Sequence, residues 1–298
     1  MKKFIAIILL ALAGNCVFAT DKTIDVVVPP GNNYDKAEFR LWYQDEVTAE
    51  GILVLVPGSN GDGRGDVDDA FWQSFAKQNH FALLGCRFTD KQHDNMDIEK
   101  YIDAKDGSGE ALLKSITMLA GIAHHPELSA SPLLLWRFSA GGEFNYEFAC
   151  WKPERVIAFV VNKGGVYYSA LAPAATRATP GLLFTGEKDL ETRTNIIKGI
   201  FDMNRRFGAV WAYGNEPGMK HELGKSKQLA AQFFNTIIKM RMTEGSAKLA
   251  AISADAGFLG DAKTNQYAPA AGASKYLTSW LPDKAFADSW VLFIQGKL

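Results

Sequence analysis

Continuous apolar runs that alternate with amphipathic segments are the feature that most constrains the fold of this chain. Residues 51–57 ("GILVLVP"), 81–88 ("FALLGCRF") and 156–162 ("VIAFVVN") are apolar almost throughout, which is typical of strands buried on both faces. Segments with helical spacing, such as "AFWQSFAKQN" from residue 70, follow these runs. Strands that alternate with helices at this spacing predict an α/β fold with a mostly parallel central sheet and helices on both faces.

Shorter apolar runs complete the pattern. Further strands are predicted at 24–28, 37–43, 133–138, 181–186 and 209–215. A helix is predicted from Ser108, its expected N-cap, and the last long helix from about Lys225 to Met242. The alternation is lost after that point, so we predict one α/β domain over residues 20–242. Residues 243–298 are expected to form a C-terminal segment packed on its core.

The first 19 residues have the pattern of an export signal. Lys2 and Lys3 precede the apolar run "FIAIILLALAG", and small residues at Val17 and Ala19 suit cleavage. The run is shorter than the ~20 residues of a membrane span. We therefore predict a signal peptide over 1–19 and a secreted or periplasmic chain without a stable membrane anchor.

Charge and cysteine content narrow the class of protein further. The formal net charge is −1, with no basic cluster of the kind that binds nucleic acid. Cys86 and Cys150 remain after the predicted cleavage, and an oxidising compartment permits a disulfide between them. Their separation in space cannot be read from the sequence, so their pairing stays open. No CxxC spacing indicates a zinc site.

Ser139 lies where a predicted strand meets a predicted helix, in "LLLWRFSAGGEFNYEFAC". Such a corner holds the serine in a strained conformation and presents its hydroxyl, while glycines let strand and helix approach closely. A serine hydroxyl becomes a strong nucleophile only with a base in reach and an acid that orients the base. Ser139 is therefore a candidate nucleophile.

His221 is the best-placed base among five histidines, because "GNEPGMKHELG" follows the last strand of the domain and precedes its last helix. The acid should come from "FTGEKDLETR", after the strand at 181–186, where Asp189 is favoured over Glu187 and Glu191. Acids at a helix start also occur simply because they favour the helix dipole.

Two backbone N–H groups are needed to bind the oxygen that gains charge in the reaction. Ala140, directly after the nucleophile, is one candidate. The loop "GSNGDG" offers the other, with Ser59 preferred and Asn60 second.

The same loop continues into a run of acids at Asp62, Asp66, Asp68 and Asp69, which raises the question of calcium. In the register of an EF-hand that begins at Asn60, Arg64 and Phe71 occupy ligand positions, and neither can bind the ion. No metal site is predicted.

These motifs resemble the α/β-hydrolase superfamily over about residues 24–242. "PGSNGDG", "FSAGG", "TGEKD" and "KHELG" are similar to secreted esterases of the dienelactone-hydrolase and polyhydroxybutyrate-depolymerase-like kind. The resemblance implies a catalytic domain with Ser139 as nucleophile, Asp189 as acid and His221 as base. It also implies Ser59 and Ala140 as oxyanion donors, and no cofactor.

The chain departs from the family pattern Gly-x-Ser-x-Gly at its first position, which is Arg137. Either Arg137 projects sideways and pairs with an acid, or it distorts the corner and impairs catalysis. The first interpretation is favoured.

The resemblance implies a carboxylic ester substrate, either a small molecule or polysaccharide-linked. Trp136, Tyr167 and Tyr168 are candidates for the wall of the substrate pocket, although aromatic residues most often belong to the core. Two alternatives remain open: a serine peptidase or amidase on the same fold, and a hydrolase-fold protein that has lost catalysis and binds a partner.

Overall fold

The computed structural model describes residues 20–243, 248–272 and 278–298. The predicted signal peptide, residues 1–19, lies outside the described residues. The strands are β1 (Asp21–Val28), β2 (Lys36–Gln44), β3 (Gly51–Leu55), β4 (Phe81–Thr89), β5 (Leu133–Trp136), β6 (Val156–Asn162), β7 (Gly181–Gly186), β8 (Trp211–Glu216), β9 (Phe258–Asp261), β10 (Gln266–Pro269) and β11 (Ser279–Leu281). The helices are α1 (Ala70–Asn79), α2 (Ser108–Ala123), α3 (Ala140–Trp151), α4 (Ala174–Arg177), α5 (Glu191–Arg206), α6 (Ser226–Arg241) and α7 (Lys284–Ile294).

The central sheet has eight strands in the order β1-β2-β4-β3-β5-β6-β7-β8. β2 alone runs opposite to the other strands of this sheet, and it pairs antiparallel with β1 on one side and β4 on the other. From β4 to β8 every pairing is parallel. The predicted fold class is confirmed, and the carboxyl ends of β3, β5, β6, β7 and β8 meet at one edge of the sheet, where α/β proteins bind ligands.

Two hydrophobic layers cover the sheet, one on each face. Side chains from α2, α3 and α5 form the first layer, and side chains from α1, α6 and α7 form the second. Within β5 the side chains alternate strictly, so that Leu135 belongs to the first layer and Trp136 to the second. The continuous apolar runs of the sequence thus reflect burial on both faces.

The start of α2 differs from the prediction. Gly107, not Ser108, is the N-cap residue. Ser108 is fully buried, and its backbone N–H donates to Asn33 Oδ1 at 2.9 Å while its hydroxyl donates to the carbonyl of Tyr101 at 2.6 Å. A side chain distant in sequence therefore satisfies the N–H group that a local cap would otherwise bind.

The C-terminal segment forms a three-stranded sheet, β10-β9-β11, followed by α7. Trp280 and Trp290 are fully buried in the second layer. The hydroxyl of Ser279 accepts from the N–H of Tyr213 at 3.0 Å, and the indole N–H of Trp290 donates to the Tyr213 carbonyl at 2.8 Å. These contacts cover the exposed edge of β8, where an unpaired strand could otherwise pair with another chain.

Cys86 on β4 and Cys150 on α3 are both free thiols, so the disulfide that the sequence left open is not formed. Burial raises the pKa of the Cys150 thiol to about 12. Among the described residues, no helix combines the length and the apolar character that a membrane crossing requires.

Candidate active site

Ser139 stands on a sharp corner between β5 and α3. Its backbone angles are φ 58° and ψ −133°, a conformation that costs a non-glycine residue about 1–3 kcal/mol. Its N–H donates to the carbonyl of Asn162 at 2.8 Å, which ties the corner to the end of β6. A Cβ atom at Gly141 would overlap the carbonyl oxygen of Val56, so only glycine permits this approach of helix and strand.

Three predicted side chains meet at the carboxyl edge of the sheet. His221 Nε2 lies 3.1 Å from the hydroxyl of Ser139, and His221 Nδ1 lies 2.9 Å from Asp189 Oδ2. The ring of Phe138 packs on the imidazole with 4.4 Å between ring centroids. Ser139 follows β5, Asp189 follows β7 and His221 follows β8, so residues 82 positions apart in the chain share a hydrogen bond.

Both oxygens of Asp189 are engaged, and its side chain is only 3% exposed. Oδ2 contacts His221, while Oδ1 accepts from Arg193 at 2.8 Å and from the N–H of Leu190 at 2.7 Å. Burial opposes ionisation, but these hydrogen bonds and the neighbouring positive charges lower the pKa of Asp189 below its ordinary value. Asp189 is thus held as a carboxylate that orients the imidazole.

The two competing acids, Glu187 and Glu191, lie away from the imidazole of His221. Glu187 accepts a hydrogen bond from the N–H of Gly218 at 2.6 Å, and Glu191 begins α5. Within the part of the chain that the structure describes, neither contacts His221. Of the other histidines, His93 pairs with Asp90 and His125 with Glu127.

The backbone N–H groups of Ser59 and Ala140 make no hydrogen bond to another described residue. Ser59 lines the same cleft as Ser139, and the loop that carries it packs on the corner through Gly58. Asn60, the second choice from sequence, does not suit the role. Its N–H donates to the hydroxyl of Tyr101 at 3.1 Å, and its side-chain oxygen accepts from the N–H of Asp90 at 2.7 Å.

Arg137 projects sideways, as the first interpretation expects. Its guanidinium lies 2.7 Å from Asp66 Oδ2, as an ion pair whose side chains are 22% and 25% exposed. The corner keeps its strained geometry with arginine in the position where the family pattern has glycine. Two other acids of this loop also pair with cations, Asp62 with Arg64 and Asp69 with Lys227. Over the described ranges, no group of three or more metal-binding side chains is present.

The carboxylate of Glu216 links the two ends of the loop that carries His221, and it also forms a buried ion pair with Lys163. Lys163, directly after β6, places its ammonium 2.9 Å from Glu216 Oε2, and the two side chains are 0% and 4% exposed. The other carboxylate oxygen of Glu216 accepts from the N–H of Lys225 at 2.6 Å. Glu216 ends β8 and Lys225 immediately precedes α6, so one carboxylate spans the loop.

Two glutamates one helical turn apart on α3 bind the backbone of the loop after β6, and only Glu143 lines the cleft. On α3, Glu143 accepts hydrogen bonds from the N–H groups of Gly165 and Val166, the second at 3.1 Å. Glu147 accepts hydrogen bonds from the backbone N–H groups of Tyr168 at 2.7 Å and Ser169 at 2.9 Å. Burial raises the pKa of Glu143 to about 7, although the backbone donors oppose this. Sequence reasoning missed both glutamates.

The cleft beside Ser139 has a volume of about 260 Å³. Polar, charged and aliphatic residues line it: Ser59, Asp97, Glu99, Ser139, Glu143, Gly165, Val166, Leu190, Thr192, Arg193 and Ile196. A larger hollow of about 660 Å³ lies at the opposite end of the sheet, around residues 46–50 before β3, far from these groups.

Trp136, Tyr167 and Tyr168, the aromatic residues predicted for the pocket wall, do not line the cleft beside Ser139 in the described structure. Trp136 is 1% exposed and packs on Trp72 in the second layer, because the alternation along β5 turns it toward α1. Tyr167 packs edge-on against Tyr146 inside the first layer. Tyr168 is 47% exposed at the surface.

Comparison with known proteins finds similarity at the level of structure. No protein-family model and no curated sequence matches the chain. A ferulic acid esterase is similar with a TM-score of 0.54 at 9% identity, over 74% of this chain and 97% of that one. A hyperthermophilic esterase from Pyrobaculum calidifontis gives 0.52 at 13% identity, over 74% and 86%. Poly(aspartic acid) hydrolase-1 from Sphingomonas sp. KT-1 gives 0.51 at 14% identity, over 71% and 98%.

Proposed function

We propose that this chain, which has the α/β-hydrolase fold, is a serine hydrolase that cleaves carboxylic esters through an acyl-enzyme intermediate. The observation that carries the proposal is the continuous hydrogen-bonded series from Ser139 through His221 to Asp189 on a strained corner. Strain of this kind persists only where the surrounding structure enforces it, and it concentrates at functional sites.

The geometry supports a two-step reaction. The Ser139 oxygen attacks the ester carbonyl carbon as its proton passes to His221 Nε2, while Asp189 holds the Nδ1–H and stabilises the imidazolium. The free N–H groups of Ser59 and Ala140 are proposed to bind the oxyanion of the tetrahedral intermediate. His221 then gives its proton to the leaving alcohol, and a water molecule repeats the sequence to release the acid. This chemistry requires no cofactor.

The proposed substrate is a small-molecule or polysaccharide-linked ester, and the proposed location is secreted or periplasmic. The ester class is supported by the solved structures that share the fold, two of which are described as esterases. Export is supported by the signal-like pattern of residues 1–19. Mass spectrometry of the protein recovered from the producing cells tests the cleavage site after Ala19.

Hydrolysis of p-nitrophenyl acetate and p-nitrophenyl butyrate tests the reaction itself. We expect turnover by the wild-type chain and a loss on the order of 10⁴–10⁶ in Ser139→Ala. Ser74→Ala, which changes an exposed serine on α1, is the matched control and should keep full activity. A fluorophosphonate probe should label the wild type and not Ser139→Ala.

Two results would redirect the proposal. Turnover of anilides at a rate that exceeds that of the matched esters would indicate a peptidase or amidase. A wild-type chain that neither hydrolyses esters nor reacts with the probe would indicate a hydrolase-fold binding protein.

A further inference from the structure

We propose that the cleft selects esters that carry a cationic group, an ammonium or a guanidinium, through the carboxylates of Glu99 and Glu143. This inference rests on the proposed ester hydrolysis and names the substrate class of the same site. It depends on an imbalance of charge around Ser139 that the residues of the cleft leave uncompensated.

Glu99 is the strongest sign of that imbalance. It lines the cleft, it is only 7% exposed, and its carboxylate makes no hydrogen bond or ion pair with another described residue. A buried carboxylate without a partner is costly, and native structures place such groups beside cations. Within the described chain the partner is missing, so a ligand in the cleft is well placed to supply it.

Glu143 adds a second carboxylate to the same cleft. One of its oxygens is committed to the N–H groups of Gly165 and Val166, while Oε2 is buried and has no hydrogen-bond partner among the described residues. Glu99 lies close enough for its charge to act on Glu143, since burial first and the Glu99 charge second both raise the pKa of Glu143. A cation between the two acids would offset the burial of Glu143 and the repulsion between the two negative charges.

Arg193 balances these acids only in part, because its charge lowers the pKa of Glu143 while burial raises that pKa by more. It is the only cation among the described residues that line the cleft, and its guanidinium is paired with Asp189 at 2.8 Å. Asp97, at the exposed rim, contributes a third acid. The lining therefore holds three carboxylates against one guanidinium that is already engaged, which favours positively charged substrates and disfavours anionic ones.

Substrate pairs that differ only in charge test the inference. The first pair is acetylcholine and its neutral isostere 3,3-dimethylbutyl acetate, with the charge in the alcohol part. The second is p-nitrophenyl 4-(trimethylammonio)butanoate and p-nitrophenyl 5,5-dimethylhexanoate, with the charge in the acyl part. At pH 8 and low salt we expect the wild type to prefer the cationic member of at least one pair by about 10- to 100-fold in kcat/KM.

Three variants assign that preference to the cleft. Glu99→Gln and Glu143→Gln should each reduce the ratio of cationic to neutral kcat/KM, because each removes one negative charge and keeps the shape of the side chain. Glu147→Gln is the matched control. It changes the other loop-binding glutamate of α3, which does not line the cleft, and should leave the ratio as it is in the wild type.

The outcomes separate this inference from the proposed function. Equal turnover of both members of both pairs, or an unchanged ratio in Glu99→Gln, would overturn the cation preference and leave the ester hydrolase intact. Absence of both turnover and fluorophosphonate labelling would overturn the proposed function and the inference together. If Ser139 is labelled but neither pair is hydrolysed, the same ratio is taken from the labelling rates of a choline phosphonate and its dimethylbutyl isostere.

Discussion

Breaking the buried pair of Lys163 and Glu216 should cost a large share of the stability of the fold. Lys163→Met removes the ammonium but keeps a chain of similar length, and it keeps a Cβ at a residue whose φ is 56°, so the backbone strain is unchanged. Glu216 would stay 4% exposed in its side chain, with only the N–H of Lys225 as a hydrogen-bond donor.

Breaking a buried ion pair on one side costs about 3–5 kcal/mol, because the remaining charge is left without compensation. Against a total stability of about 5–15 kcal/mol for a domain, that is a large fraction. At roughly 2–4 °C per kcal/mol for a chain of this size, Tm should fall by roughly 6–20 °C. Chemical unfolding followed by tryptophan fluorescence measures the free energy directly.

A double-mutant cycle isolates the charge interaction. Glu216→Gln keeps an oxygen for the N–H of Lys225 but removes the negative charge, so the double variant buries no uncompensated carboxylate. We expect it to be more stable than Lys163→Met alone, with an interaction energy of about 2–3 kcal/mol. A cost below about 1 kcal/mol for Lys163→Met, or strictly additive effects, would refute the argument that burial makes this pair important.

Three further predictions concern single side chains. The folded-state pKa of Glu143 is about 7 against an ordinary 4.5, so the stability that its neutral form contributes is fully present below about pH 4.5. That contribution is lost as the pH rises to about 7, and the unfolding free energy of the wild type relative to Glu143→Gln should fall by about 2–4 kcal/mol across that window. Gly141→Ala should lower Tm sharply, because the added Cβ would overlap the backbone directly after β3. The control Gly121→Ala, on an open face of α2, should leave Tm unchanged or raise it, since alanine is favoured over glycine in helices by about 1 kcal/mol. Arg137→Gly should keep or raise ester turnover. It should cost about 1 kcal/mol of stability, because Asp66 is partly exposed and water can replace its lost partner. Abolished turnover in a folded Arg137→Gly protein would mean that the arginine has a role in catalysis.

The sequence predicts those parts of this fold that depend on burial along a short stretch of chain. The runs that became β3, β4 and β6 are apolar because both faces of the sheet are covered, and that property is visible one segment at a time. Ser139 and His221 were identifiable for a related reason. Each lies in the segment that follows a strand, and the carboxyl ends of parallel strands meet at one edge of the sheet.

Properties set by contacts between distant segments could not be predicted in this way. The loss of Asn60 as an oxyanion donor depends on the hydroxyl of Tyr101, 41 positions away. The position of Glu99 in the cleft depends on how an irregular loop folds back over α3, for which no periodic pattern exists. Trp136 is different, since counting alternation from Leu133 along β5 would have placed it on the face opposite Leu135.

The environment of Asp189 shows how this site combines orientation with charge. A carboxylate that faced only His221 would exert its full field on the imidazolium but would be free to rotate about its last side-chain bond. Here Arg193 and the N–H of Leu190 hold Oδ1, so Oδ2 points at Nδ1 in one geometry, and part of the negative charge is shared with the guanidinium. Because Arg193 is engaged in this way, it only partly offsets the charge of Glu143 and forms no ion pair with Glu99. The ion pair between Arg193 and Asp189 thus orients the proposed triad and also leaves a net negative charge in the cleft, which favours cationic substrates.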